Sequence, residues 1–159
     1  MTLDRSTEGT GAYWFEVAID PPAGHIPSWK STTWFVVRSI SGLNKIMDTQ
    51  DIWVGGASGD YQTLPIKKRW PTLVLQGVIA QNDKSFFDWF ESVTIGTIAQ
   101  SRAHGLIKLQ NGDGATPVAT WTFEGAYPIK YSGPTLDTHS ALLAFETIEL
   151  THQGLKRET

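Results

Sequence analysis

Large apolar residues recur at every second position along much of this chain of 159 residues. In residues 13–20 the odd-numbered positions are all large and apolar: Tyr13, Phe15, Val17 and Ile19. Alternation of this kind predicts a β-strand with one buried face, because successive side chains of a strand point to opposite sides of the sheet. Strand-like patterns also predict strands at residues 31–40, 72–79, 105–110, 118–124 and 140–151.

One segment follows the helical period instead. Four large apolar residues are spaced at i, i+3, i+4 and i+7, namely Phe86, Trp89, Phe90 and Val93. This spacing places them on one stripe of an α-helix. Asn82 or Asp83 can cap the first turn, and Gly96 follows the end. The pattern therefore predicts one helix at about residues 83–93.

Turn-forming residues separate several of the predicted strands. Residues 111–114 have the sequence Asn-Gly-Asp-Gly, which is favoured in tight hairpin turns, so we expect the strands on either side to pair. Prolines at Pro128 and Pro134 predict two further turns.

Residues 44–64 show no regular period. They contain an isolated apolar patch, Ile52, Trp53 and Val54, followed by a glycine-rich run at residues 55–60. A long connection without a regular period is uncommon inside a compact domain and is usually functional or mobile. We predict an extended glycine-rich loop or hairpin at this position.

These elements define the predicted fold class. Strands dominate and a single helix interrupts them, so we expect a mainly β protein, an antiparallel β-barrel or sandwich with one flanking α-helix. The chain has no internal repeat. Its length predicts one domain over residues 1–159, with a polar N-terminal arm at residues 1–12.

The composition favours a protein whose surface is partly covered. Only 18% of the residues are charged, and the chain has seven tryptophans. Interface cores are poor in charge and rich in aromatic residues, so contacts between subunits would account for both features. A well-packed monomer with a large aromatic core is the alternative. The net charge of −3 argues against strong binding to nucleic acid.

No pattern of catalytic or metal-binding residues is present. The four histidines are His25, His104, His139 and His152, and their wide spacing matches no metal-binding motif. The chain has no cysteine and no nucleophile motif. The glycines at 55–59 lack the Lys-Ser/Thr ending of a phosphate loop. We therefore predict neither an enzyme nor a bound metal or cofactor.

Lys67, Lys68 and Arg69 form the one basic run, next to Trp70. A nucleic-acid site usually needs several such clusters. A solvated strand edge is the simplest interpretation, since edge lysines discourage unwanted strand pairing. Salt bridges to a neighbouring subunit are the functional alternative.

No apolar run approaches the ~20 residues that a membrane-spanning helix needs. The first residues also lack the basic and apolar regions of a signal peptide. We expect no membrane insertion and no classical export signal.

The C-terminal part carries a family resemblance. Residues 121–155 hold, in order, a Trp-x-Phe strand, an aromatic-Pro pair, Lys-x-x-Gly-Pro and Glu-x-Leu-x-His-x-Gly-Leu. The matching residues are Trp121, Phe123, Tyr127, Pro128, Lys130, Gly133, Pro134, Glu149, Leu150, His152, Gly154 and Leu155. This series closely resembles the signature of the tail tube proteins of contractile phage tails and related extracellular injection particles. Weaker matches extend the resemblance over residues 13–155.

The resemblance implies a β-barrel protomer that closes into hexameric rings, which stack into a hollow tube. It also implies a sheath, a baseplate and a terminator or cap as partners, and cargo (effector protein or DNA) that passes through the lumen. Such a protein would assemble in the bacterial cytoplasm as part of a phage tail or a released phage-tail-like particle. We hypothesise inter-subunit contacts at Trp53, Val54, Gly55, Gly56, Tyr61, Lys67, Lys68 and Arg69.

Several segments depart from the family pattern. Residues 37–43 lack the usual acidic residue, residues 44–60 have their own sequence, and Leu75 and Gln76 stand where the family has cations. Because of these departures, a tube-initiating ring protein at the baseplate is an alternative interpretation. A monomeric β-sandwich binding module that uses exposed tryptophans is a further alternative, as is an enzyme of unrecognised type.

Overall fold

The structure is a computed structural model. It describes residues 14–21, 31–35, 37–53, 55, 60–78, 83–96, 98–110, 117–135 and 144–158. The predictions for the N-terminal arm, for Val54, Gly56 and Asn82, and for the turn at residues 111–114 fall outside these ranges.

Within the described ranges the chain forms ten strands, one α-helix and one 3₁₀ turn. The strands are β1 (Trp14–Ile19), β2 (Thr33–Phe35), β3 (Val37–Ser41), β4 (Ile46–Trp53), β5 (Tyr61–Arg69), β6 (Leu73–Val78), β7 (Ala103–Gln110), β8 (Pro117–Ser132), β9 (Phe145–Thr151) and β10 (Gly154–Arg157). The helix α1 covers Ser85–Ile95, and the 3₁₀ turn covers Ile98–Ser101. All pairings between strands are antiparallel. The predicted mainly β class with one flanking helix is confirmed.

Eight of the strands form one curled sheet. Seven of them follow the order β2-β1-β7-β8-β9-β6-β3, and β10 pairs with β8. The two end strands, β2 and β3, are separated in the chain by residue 36 alone. The covalent chain therefore holds the two edges of the sheet close together, which curls the sheet into a barrel that is not closed by hydrogen bonds between β2 and β3. Strand was predicted over residues 31–40, and β2 and β3 lie within that range or one residue beyond it; β2 pairs with β1 and β3 pairs with β6, so the pairing partner changes between them.

Strand β8 bends around a corner of this sheet. Its first half pairs with β7 and β10, and its second half pairs with β9. Gly125 lies at the corner with a φ of 61°, a conformation that other residues rarely adopt. The turn predicted at Pro128 was wrong, because β8 continues to Ser132. The proline is accommodated where the register between β8 and β9 shifts, between Pro128 and Lys130.

Helix α1 covers the apolar interior of the curled sheet. Phe86 and Trp89 are buried, and the Phe86 ring stacks on Phe35 with 4.7 Å between ring centroids. The indole of Trp89 donates a hydrogen bond of 2.8 Å to the carbonyl of Ser101. The helix begins two residues later than predicted, and the Asp83 carboxylate accepts the amide of Ser85 at 3.0 Å. The core therefore consists of one face of the sheet and one stripe of the helix.

Strands β3 and β6 pair with each other, although 31 residues of chain lie between them. That connection contains β4 and β5, which leave and rejoin the sheet at Gly42 and Thr72. Gly42 has a φ of 92°, and a Cβ at this position would lie 2.0 Å from the carbonyl oxygen of Thr72. Close backbone contact at glycine thus fixes the point from which β4 and β5 extend.

Candidate assembly surface

Strands β4 and β5 form a hairpin of their own. They pair from Ile46 opposite Arg69 to Trp53 opposite Tyr61, as a two-stranded sheet separate from the large one. Gly55 is two residues after Trp53 in the sequence and is exposed, with nothing within 4 Å of a Cβ built there. The irregular segment of the sequence is thus an extended ribbon.

Almost the whole hairpin is exposed. Every residue of β4 and β5 is exposed except Asp48, which is half-buried. The exposed side chains include Ile46, Met47, Ile52, Trp53, Tyr61, Leu64 and Ile66, with Trp53 at 72%. A hairpin with no third strand or packed helix is at best marginally stable in water. Exposed apolar surfaces of this extent are typical of interaction sites.

Both faces of the hairpin carry apolar groups. The register places Trp53, Tyr61 and Met47 on one face, and Ile52, Leu64 and Ile46 on the other. The Trp53 and Tyr61 rings meet edge to face with their centroids 6.0 Å apart. Neither face of the hairpin is mainly polar, as a face exposed to solvent usually is. A neighbouring molecule can therefore cover either face.

The basic run lies at the base of the hairpin. The Arg69 guanidinium contacts the Asp48 carboxylate at 2.9 Å, so Arg69 already has a partner in its own chain. The Lys68 ammonium lies 5.0 Å from the centroid of the Trp70 ring. Lys67 is opposite Asp48 in the register. Exposed ion pairs contribute little to protein stability. The basic run can therefore either hold the base of the hairpin or form ion pairs with a charged group of another molecule.

The predicted contact residues lie at the two ends of this hairpin. Trp53, Gly55 and Tyr61 are at the far end, and the three cations are at the base. Three further exposed apolar residues of the hairpin, Ile46, Ile52 and Ile66, were not among the predicted contacts. A register shift between Asp48 and Thr49 and the proline at position 65 interrupt the alternation that would have revealed two strands. The sequence did contain one signal for the hairpin, namely a patch of β-branched and aromatic residues on each side of the glycine-rich run.

A second surface feature lies next to the base of the hairpin. A cleft of about 590 Å³ is lined by Leu43, Asn44, Lys45, Trp121, Leu155 and Arg157. The Arg157 guanidinium lies 5.7 Å from the centroid of the Trp121 ring. Strand β10 borders this cleft, and among the described strands it pairs with β8 alone.

A polar cluster connects the start of helix α1 to the sheet. The Tyr131 hydroxyl donates a hydrogen bond of 3.0 Å to the Glu146 carboxylate, and the Phe87 ring meets the Tyr131 ring edge to face. Burial, followed by the bond to Glu146, raises the pKa of Tyr131 to about 12. Burial also raises the pKa of Glu146, as does the charge of Asp83, while the Tyr131 hydroxyl opposes the rise. Both groups bind their protons more tightly in the folded chain than in the unfolded chain. The free energy of unfolding therefore falls as the pH rises from the unfolded-state pKa of each group to its folded-state pKa.

Two substitutions should move the pKa of Glu146 in opposite directions. Tyr131→Phe removes the hydrogen bond that stabilises the carboxylate, so we expect a higher pKa for Glu146. Asp83→Asn removes a nearby negative charge, so we expect a lower pKa. Titration of the carboxyl carbon by NMR measures both. Shifts of the same sign in the two variants would contradict this arrangement.

The described residues contain no group of three or more histidines and carboxylates placed to hold a metal ion. None of the helices in these ranges is long and apolar enough to cross a bilayer.

A curled antiparallel sheet with one packed helix and an exposed apolar hairpin is an architecture suited to a protein that works by assembly. The model of the T4-like virus tail tube protein family, gp19, matches residues 11–156. The chain therefore belongs to the tail tube protein family of contractile phage tails and related injection systems. This confirms the resemblance in the sequence, and because the family is structural, it confirms that the protein is not an enzyme.

Solved structures show the same fold at low sequence identity. A chain of the sheath–tube complex of PVC, an extracellular contractile injection system in its extended state, is 20% identical with a TM-score of 0.77, covering 98% of this chain and 95% of that one. A chain of the six-fold symmetrised baseplate of the anti-feeding prophage is 23% identical with a TM-score of 0.71, covering 90% and 91%. Hcp1 from Flavobacterium johnsoniae is 17% identical with a TM-score of 0.54, covering 89% and 94%. No curated protein is similar enough in sequence to match the chain.

Proposed function

We propose that the chain is an inner tube subunit of a contractile injection system or phage tail. In this proposal it forms hexameric rings that stack around a central channel for cargo. The exposed hairpin β4–β5 carries the proposal, because its apolar residues on both faces need a neighbouring molecule to cover them. Membership of the tail tube family supports the same function.

The edges of the large sheet suit association into a ring. Among the described residues, β2 and β3 each pair with one strand only and leave their outer edges open. An open edge accepts a strand from a neighbour through backbone hydrogen bonds. Contacts of this kind join unlike surfaces of identical copies, and they close into a ring when the rotation between copies permits.

The hairpin would make the contact between subunits at its two ends. In this proposal the predicted contact residues Trp53, Val54, Gly55, Gly56 and Tyr61 pack on a neighbour. Lys67, Lys68 and Arg69 meet acidic groups of a neighbour at the base. Because Arg69 is already paired with Asp48, Lys67 and Lys68 are the better placed members of this run.

The proposed partners are the sheath, the baseplate, a terminator or cap protein, and cargo (effector protein or DNA) in the lumen. Chains of similar fold come from structures of a sheath–tube complex, a baseplate and a tube-terminating cap, which supports this set. Residues 1–159 would act as one domain. Assembly would take place in the bacterial cytoplasm, where the absence of cysteine in the sequence fits a reducing environment.

A tube-initiating ring at the baseplate is the second candidate. The similarity to a chain of the anti-feeding prophage baseplate favours it, as do residues 44–60, which depart from the family pattern. Labelled antibody on purified particles separates the two candidates. A repeated tube subunit is exposed along the length of a bared tube, whereas an initiator is found at one end only.

Negative-stain microscopy of the chain produced together with its sheath and baseplate tests the proposal. We expect rings or tubes with an axial hole that contain this chain, and class averages with six-fold symmetry. A chain that remains a monomer of 17.6 kDa and enters no particle under these conditions would contradict the proposal. That result would favour the monomeric binding module.

A further inference from the structure

Helix α1 contacts strand β8 in its first turn. The Phe87 ring meets the Tyr131 ring edge to face, with 5.6 Å between the ring centroids. The Tyr131 hydroxyl in turn donates a hydrogen bond of 3.0 Å to the carboxylate of Glu146, on β9. The start of the helix is therefore linked through one tyrosine to a carboxylate of the next strand.

A second carboxylate lies at the same point. Asp83, two residues before the helix, accepts the amide of Ser85 at 3.0 Å and so satisfies a backbone donor of the first turn. Its negative charge acts on Glu146, which is half-buried. The start of a helix favours negative charge, and Asp83 already supplies it. Glu146 is thus a second negative charge at a position where burial disfavours a charge.

Among the described residues, no lysine or arginine forms an ion pair with Glu146. On the neighbouring strand β6, Gly77 lies opposite Glu146, between two uncharged residues. On the helix side, the further charged residues are Lys84, which is exposed, and Asp88 in the first turn.

The cations of the adjoining strands have other contacts. Lys130 of β8 forms an ion pair of 2.8 Å with Glu149. The Arg38 guanidinium of β3 lies over the Phe145 ring, 4.8 Å from its centroid. Within the described part of the chain, a proton taken from solvent is therefore the simplest means of removing the charge of Glu146.

We propose that Glu146, Asp83 and Tyr131 form a proton-operated latch, which holds the start of α1 to the sheet in mild acid and loosens toward neutral pH. A proton from solvent turns one oxygen of Glu146 into a donor, for which the Asp83 carboxylate is the acceptor. The other oxygen still accepts the hydrogen bond from Tyr131. When the proton leaves, the two carboxylates repel each other, and the attachment of the helix start to β9 weakens.

The direction of both pKa shifts agrees with this latch. Burial, opposed by the Tyr131 hydrogen bond and assisted by the charge of Asp83, raises the pKa of Glu146. Burial, followed by the bond to Glu146, raises the pKa of Tyr131 to about 12, so Tyr131 remains a donor at neutral pH. The latch therefore contributes its full stability below the ordinary glutamate pKa of 4.5, and this is lost as the pH rises through the folded-state pKa of Glu146.

Amide hydrogen exchange at residues 85–90 of the protomer, corrected for the intrinsic rate at each pH, tests the latch. Between pH 4.5 and neutrality we expect protection to fall by about threefold or more. Glu146→Gln keeps an acceptor for Tyr131 and carries no charge, so this fall should disappear. Glu149→Gln removes the other carboxylate of β9 and is the matched control, which should show the same fall as the unmodified chain.

Asp83→Asn provides a second variant at the other side of the latch. Asparagine retains an acceptor for the Ser85 amide but removes the repelling charge, so we expect higher protection at neutral pH and a smaller fall. A fall of equal size in Glu146→Gln and the unmodified chain, or its loss in Glu149→Gln, would overturn the inference. The measurement uses the unassembled protomer, so its result is independent of the proposed tube function.

Discussion

Trp53→Ala is expected to abolish tube assembly while leaving the protomer folded. Trp53 is 72% exposed, and its described ring contact is with Tyr61 of the same hairpin. Truncating a side chain with so little burial should change the free energy of unfolding by about 0.5 kcal/mol or less. A buried interface tryptophan, in contrast, often contributes about 2 kcal/mol or more to one contact, and the loss is repeated in every copy of a stack.

Sedimentation of assembled material measures the first effect, and thermal unfolding followed by circular dichroism measures the second. Trp53→Phe retains an aromatic ring at the same position and should assemble close to the level of the unmodified chain. Normal tubes from Trp53→Ala would show that the far end of the hairpin is not the contact.

Trp89→Ala is expected to have the opposite profile, with a large loss of protomer stability. Trp89 has no exposed surface and lies on the buried stripe of α1, where its indole also bonds the carbonyl of Ser101. Replacing a buried tryptophan by alanine typically costs about 3–5 kcal/mol, because a cavity remains where the ring was. For a chain of this size the midpoint of thermal unfolding should fall by roughly 10 °C.

Chemical denaturation gives the free energy of unfolding for this variant, with Trp89→Phe as the control. Phenylalanine fills most of the cavity but removes the N–H donor, so a smaller loss is expected than for alanine. A Trp89→Ala protomer as stable as the unmodified chain would mean that α1 is not packed into the core. Together the variants at Trp53 and Trp89 distinguish side chains that stabilise the protomer from side chains that join one protomer to the next.

The elements with one buried face were predictable from the sequence. Strand β1 covers Trp14–Ile19 where residues 13–20 were expected, and β6 covers Leu73–Val78 where 72–79 were expected. The stripe of α1 was likewise found, because Phe86 and Trp89 face the core while Phe87 is exposed. In each case the regular spacing of apolar residues in the sequence reflects the burial of one face of the element within this chain.

Features that depend on distant parts of the chain were not predictable. The change of pairing partner from β1 at β2 to β6 at β3 follows from the curling of the whole sheet, and local residue patterns carry no record of it. The continuation of β8 past Pro128 depends on a register shift against β9. Local signals for a turn were overridden there by pairing with a distant strand.

The hairpin was only partly visible in the sequence for a different physical reason. Neither of its faces is buried in its own chain, so no alternation between apolar and polar residues is required. Trp53 and Tyr61 stood out as aromatic residues beside a glycine-rich run, whereas Ile46 and Ile66 did not. In the proposed tube, these residues pack on the surface of a neighbouring copy rather than in the core of the protomer.

Amide hydrogen exchange across the hairpin, compared between the protomer and assembled tubes, tests the central claim most directly. A ribbon of two strands with exposed faces should exchange rapidly in the isolated protomer, while the strands of the large sheet are protected. We predict that residues 46–53 and 61–69 become strongly protected on assembly, more than any other exposed segment. Equal, rapid exchange of these residues in protomer and tube would contradict the claim that the hairpin joins the subunits.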